Sequence, residues 1–153
     1  MMESPPAEPR HPAKDVTQHV GYLLKRAQAA LRNAMDKVLR EHGLTVPQYA
    51  TLELLAQHPG MSNADLARAT FVTRQSGNVV LRGLQEAGLI TRPATADHGR
   101  ARPAHLTEEG HARLAAVQAA VYAIEERAVE AIPPQRMAAL LADLDCIAAA
   151  LEK

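Results

Sequence analysis

Apolar side chains recur every three to four positions over residues 15–42, at Val20, Leu23/Leu24, Ala27, Leu31, Ala34/Met35 and Val38/Leu39. This period predicts a long amphipathic helix, which Gly43 stops. Thr45 then places a capping hydroxyl ahead of Pro47, opening a second helix that carries Tyr49, Leu52, Leu54 and Leu55 as far as Pro59-Gly60. Ser62 or Asn63 caps a third helix over 64–70, with Leu66 and Ala67 inward. After a turn at Phe71-Val72, Thr73 caps a fourth helix that runs to Ala87 and ends at Gly88. The period then changes. Residues 89–92 read as a short strand, 94–99 as a turn-rich loop and 100–106 as a returning strand, and Pro93 and Pro103 confine that hairpin to short pairing. Thr107 caps a fifth helix with Leu114, Val117, Val121, Ile124 and Ala128 at helical spacing. Pro133-Pro134 breaks it, and a sixth carries Met137, Leu140/Leu141, Leu144, Ile147 and Leu151. Residues 1–14 hold Pro5, Pro6, Pro9 and Pro12 with little apolar surface, and read as a disordered tail.

The 153 residues, 47% hydrophobic, fit one domain or two small, intimately packed ones. Basic and acidic side chains number 17 each, so composition alone argues against a polybasic binder of nucleic acid or membrane. Resolved along the chain the balance differs. Residues 1–60 carry seven basic and six acidic groups, 61–106 six and three, and 107–153 four and eight. The basic excess falls on a middle segment, the distribution expected if only that segment meets a polyanion. Between Arg68 and Arg102 stand six arginines and no lysine, opposed only by Glu86 and Asp97. On charge alone, a solvated surface explains them as well.

The single cysteine, Cys146, excludes an intrachain disulfide and suits a reducing, cytoplasmic location; beside Ile147 it is expected to be buried as a small hydrophobe. No signal peptide is visible, and no run approaches the ~18 apolar residues needed to cross a bilayer. With aromatics at 3%, base stacking on single strands is poorly supported.

Two short helices joined by a tight turn, followed at once by a hairpin, is the order of a winged helix-turn-helix. At about 100° per residue, Arg74, Gln75, Asn78 and Arg82 fall on one side of the fourth helix, and Ser76, Gly77, Val80, Leu81 and Leu84 on the other. Arginine for guanine and Asn or Gln for adenine are the side chains that read a major groove.

The ordered series Gly43 to Tyr49, Ala64 to Thr73, Leu84-Gln85-Glu86-Ala87-Gly88-Leu89-Ile90-Thr91-Arg92, then Asp97, Arg100 and Leu106-Thr107-Glu108-Glu109-Gly110, resembles the MarR family of bacterial transcriptional regulators. The resemblance covers nearly the whole chain after residue 14. It implies a mainly α fold with a small β wing. A reading lobe over 43–106 would lie between dimerisation helices over 15–42 and 107–153. It further implies a homodimer on pseudo-palindromic double-stranded DNA, with recognition helices about 34 Å apart. Carried over by position, Thr73, Arg74, Gln75, Ser76, Asn78 and Arg82 form the reading surface, and Arg100 is the wing-tip arginine braced by Asp97. The chain departs from the family at Val79, where a polar residue is frequent, and at Gly77 and Gly83 within the helix.

The resemblance also implies release of DNA by a small aromatic anion bound between dimerisation helices and lobe; Tyr22, Met35 and Tyr49, with Arg26 as anion partner, are the expected contacts. Taken residue by residue, a place in the core is the favoured reading for the first three. The family's redox-sensing members have a cysteine near the start of the first helix, and this chain has none there. Seven scattered histidines form no metal-ligand spacing, and there is no phosphate loop, nucleophile elbow or catalytic cluster, so no cofactor and no enzyme activity are expected. The alternatives are a winged-helix protein-interaction module and a zinc-responsive regulator.

Overall fold

The computed structural model describes residues 15–93 and 102–152. The expected tail over 1–14 and the expected loop over 94–99, together with Asp97 and Arg100, lie outside the described residues. The described residues form α1 (Val20–Glu41), α2 (Val46–Gln57), α3 (Asn63–Ala69), α4 (Arg74–Glu86), β1 (Ile90–Thr91), β2 (His105–Leu106), α5 (Glu108–Glu130) and α6 (Pro134–Leu151).

The helix boundaries follow from local hydrogen bonds. Asp15 caps a separate 3-10 turn over Val16–Gln18, its carboxylate accepting from the Thr17 amide at 2.9 Å, so α1 begins only after the extended His19. Gly43, at φ +69°, ends it. Thr45 and Gln48 form a reciprocal capping box at α2 (3.3 and 3.0 Å), and Ser62 and Asp65 form another at α3 (3.2 and 3.4 Å). Of the two caps expected for α3, Ser62 is the one used.

One core joins these elements. Leu39 from the end of α1, Tyr49, Leu52 and Leu55 from α2, Leu66 from α3, Leu81 and Leu84 from α4, and Leu114, Val117 and Val121 from α5 close around Leu89 and Ile90. Each fully buried leucine contributes about 2 kcal/mol of transfer free energy.

Among the described residues the returning strand covers His105–Leu106 only, where the sequence suggests a strand from 100. Ile90 pairs with Leu106 and Thr91 with His105, antiparallel, and no pairing of the described residues extends beyond them. Pro103 has no amide to donate. Ala104 turns instead to the segment between α2 and α3, its amide donating to Met61 O (3.2 Å) and its carbonyl accepting from Gly60 N (3.0 Å).

The start of α5 is locked to the end of the reading lobe. The Leu89 carbonyl accepts from Thr107 N at 3.0 Å, the Thr107 hydroxyl donates to Gly88 O at 2.6 Å, and that same hydroxyl accepts from Gly110 N at 3.0 Å. A Cβ on Gly110 would lie 2.0 Å from Leu89 O. Only glycine lets helix and strand approach this closely.

α6 buries no residue within the chain, and Cys146 is exposed there. The expectation of a buried thiol is corrected, because no described residue covers the face it occupies. Among the described residues no helix is long and apolar enough to cross a membrane.

Candidate nucleic-acid interface

The turn before α4 is set by Phe71, a non-glycine residue at φ +58°, and by the Val72 amide donating to Ala67 O at 3.0 Å. The Thr73 hydroxyl then accepts from the Ser76 amide at 3.1 Å, which caps α4 and aims its free N–H groups outward. Gly77 explains itself here. A Cβ at that position would lie 3.0 Å from Asn63 Oδ1 and 3.3 Å from Ala67 Cβ, so glycine lets α4 press against α3. At Gly83 the nearest atom would be 3.6 Å away, and no close approach accounts for it.

Gly77, Leu81 and Leu84 are buried and fix the inward side of α4. Arg74, Gln75, Ser76 and Arg82 are exposed. Ser76 lay at the margin of the apolar sector on the helical wheel, but the turn before α4 leaves it open, and it also receives the Thr73 hydroxyl at 3.1 Å. Asn78 is half-buried and turned toward the wing, where its Oδ1 accepts from Arg92 Nη1 at 3.2 Å. Val79, the departure from the family pattern, is 61% exposed.

Arg92 and Arg102, two arginines of the basic middle segment, have specific partners in the structure. Arg92 also donates from Nε to Gln85 Oε1 at 3.1 Å, and Arg102 donates from Nε to Pro93 O at 2.7 Å. Together with Ser62, Asn63, Arg74 and Asn78 they line a cleft of about 330 Å³ between α3, α4 and the base of the wing. Among the described residues that line it are three guanidinium groups and no carboxylate. Burial first, and then the charges of Arg102 and Arg82, push the Arg92 guanidinium below its ordinary value. Such a cleft suits a phosphate or carboxylate. A basic residue directly after the Leu-Ile-Thr run was the available signal.

The residues expected to hold a small molecule separate into two groups. Tyr22 and Arg26 are exposed on the N-terminal half of α1. Tyr49 is in the core, and half-buried Met35 packs against the cluster that contains it. Beside Tyr49, one helical turn on, stands Glu53, a residue the sequence reading passed over. Its carboxylate accepts from Tyr122 Oη (2.9 Å), Gln118 Nε2 (3.3 Å) and Gln57 Nε2 (3.3 Å), joining α2 to α5. Burial, and then the hydrogen bond with Glu53, raise the Tyr49 hydroxyl well above the ordinary tyrosine value. The signal was a lone charge in an otherwise uncharged helix. Among the described residues, no three His, Cys, Asp or Glu side chains gather closely enough to hold a metal ion.

A sequence model of the MarR family matches residues 42–101. The HTH-type transcriptional repressor Rv2887 of Mycobacterium tuberculosis is 43% identical over 119 residues, which is 76% of this chain and 86% of the relative. The crystal structure of Rv2887 in complex with salicylic acid aligns with a TM-score of 0.67 at 38% identity, covering 88% of this chain and 98% of that one. The Rv2887 complex with DNA aligns with a TM-score of 0.67 at 36% identity, covering 84% and 97%.

Proposed function

This chain belongs to the MarR family, and we propose that it is a dimeric, sequence-specific repressor that binds double-stranded DNA in the cytoplasm and is released by a small aromatic acid. The observation that carries this reading is the capped, outward face of α4, with Arg74, Gln75 and Arg82 exposed and the Arg92–Arg102 cleft beside it. A phosphate backbone matches the cleft, and base edges match the face. The similarity to Rv2887, a repressor crystallised with DNA and with salicylic acid, supports the same reading.

A second copy supplies what the long helices lack. Val20, Leu23 and Leu31 of α1, Tyr122 and Val129 of α5, and Leu141, Leu144 and Leu151 of α6 are exposed in the single chain. Burial of these side chains against the same helices of a partner would account for their exposure, which supports dimerisation through 15–42 and 107–153 and DNA reading by 43–106. The charge distribution fits, because the acidic C-terminal arm faces away from phosphate while the basic lobe meets it.

Thr73, Arg74, Gln75, Ser76, Asn78 and Arg82 are the contacts on α4, with Arg100 reaching the flanking minor groove and Asp97 bracing it. Tyr22, Arg26, Met35 and Tyr49 remain the contacts for the aromatic acid. The test is a mobility shift on duplexes enriched by the protein from a random library. Binding is expected to fall steeply with salt, to weaken at least tenfold in Arg82→Ala, and to be reversed by salicylate. Unchanged affinity in both Arg82→Ala and Arg100→Ala would sink the DNA-reading assignment.

A further inference from the structure

We propose that Val79 reads the 5-methyl group of a thymine in each half-site, making it a specificity-determining residue at the centre of the reading face. The proposal rests on the DNA-binding function above. Its basis is the direction in which α4 points. Taking about 100° per residue, and the buried Gly77, Leu81 and Leu84 as the inward direction, the opposite side of the helix carries Gln75, Val79, Arg82 and Glu86. Val79 stands in the middle of that set. It is the only large apolar side chain of α4 that is exposed.

Asn78 and Gln85 do not share this face. Both side-chain oxygens accept from Arg92, which draws them toward the wing. Glu86 lies seven residues beyond Val79, about 10 Å along the axis, at the end of the helix farthest from the cap. The part of α4 that enters a groove first therefore presents Gln75, Val79 and Arg82.

Valine neither donates nor accepts a hydrogen bond. The apolar feature that a major groove offers at its base edges is the thymine methyl group. Cytosine at the same place would leave its amino donor facing the valine methyls, unpaired and shielded from water. No local structural need explains the residue, because valine is a poorer helix former than alanine, lysine or glutamine at an exposed position. Gln75, one turn earlier, and Arg82, one turn later, supply the hydrogen-bonding contacts on either side.

Duplexes enriched from a random library by the full-length protein provide the probe. Each thymine is replaced singly by deoxyuridine, which lacks only the 5-methyl group. One thymine per half-site is expected to weaken wild-type binding about fourfold when replaced, the factor for removing one buried methyl group. Val79→Ala is expected to lose that preference while keeping the wild-type response at other positions. Its thermal midpoint should not fall, since the side chain is exposed. A deoxyuridine profile that is flat in the wild type, or identical in Val79→Ala, overturns the assignment and leaves DNA binding standing. Failure to enrich any duplex overturns the DNA-binding reading and this proposal with it.

Discussion

Arg92 Nη1 donates to Asn78 Oδ1 across 3.2 Å, and this contact joins the root of the wing to a recognition-helix residue 14 positions earlier. Its consequence is that wing and helix present themselves to DNA as one surface.

Arg92→Ala is therefore expected to weaken DNA binding about tenfold, more than the loss of one peripheral phosphate contact. A cycle of Arg92→Ala and Asn78→Ala, read by binding affinity, should give a coupling of about 1 kcal/mol, the usual range for one hydrogen bond to a charged group in partial exposure. Additive single effects would show that the contact does not matter on DNA. Arg92→Lys should restore charge but not coupling, since lysine cannot serve Asn78 and Gln85 with a planar fork.

Gly110 and Gly83 make an opposed pair. In Gly110→Ala the new methyl group would meet Leu89 O at 2.0 Å, and backbone cannot swing aside as a side chain does. A loss of at least about 3 kcal/mol of stability is expected, of the size seen for severe overpacking. In Gly83→Ala the nearest atom is 3.6 Å away, and a gain of about 0.5–1 kcal/mol is expected from helix propensity. Chemical denaturation of the two variants tests both, and a mild Gly110→Ala would contradict the close approach of α5 to Leu89.

Phe71 combines φ +58° with 91% exposure, so it bears the cost of a left-handed backbone without any burial in return. Phe71→Asn is expected to raise stability by about 0.5–1 kcal/mol, because asparagine tolerates this region better. A lowered thermal midpoint would mean that the ring has a contact the single chain does not contain.

The capping box of α3 carries a pH dependence. Hydrogen bonds from the Ser62 hydroxyl and amide, with a smaller contribution from Arg68, hold the Asp65 carboxyl below its ordinary value of 3.8. A group depressed on folding stabilises the folded state above its unfolded value and loses that contribution as pH falls through the folded one. The thermal midpoint of wild type should thus exceed that of Asp65→Asn at pH 7. The gap should close as pH drops below about 3.8, and a gap independent of pH would exclude the ionised carboxylate as its source.

What the residues determine alone is whatever lies within four positions of its partner. The Thr45, Thr73 and Thr107 caps, the glycine stops at Gly43 and Gly88, and the inward leucines of α2 and α4 all rest on such local bonds and periods and are legible, while the α3 cap is narrowed only to Ser62 or Asn63. The family motif was legible as an order of residues, but its physical content was not. Gly110 is glycine because Leu89 lies against it, and Gly77 is glycine because Asn63 and Ala67 do.

Tertiary structure alone decided the contacts made across longer separations. It joined Asn78 to Arg92, paired Ala104 with Met61, and set Glu53 among Tyr122 and Gln118. The helical period says which side of α4 is apolar. Which polar residue stands opposite the core, and which is drawn aside, depends on the strand that packs next to it, and no local period contains that partner.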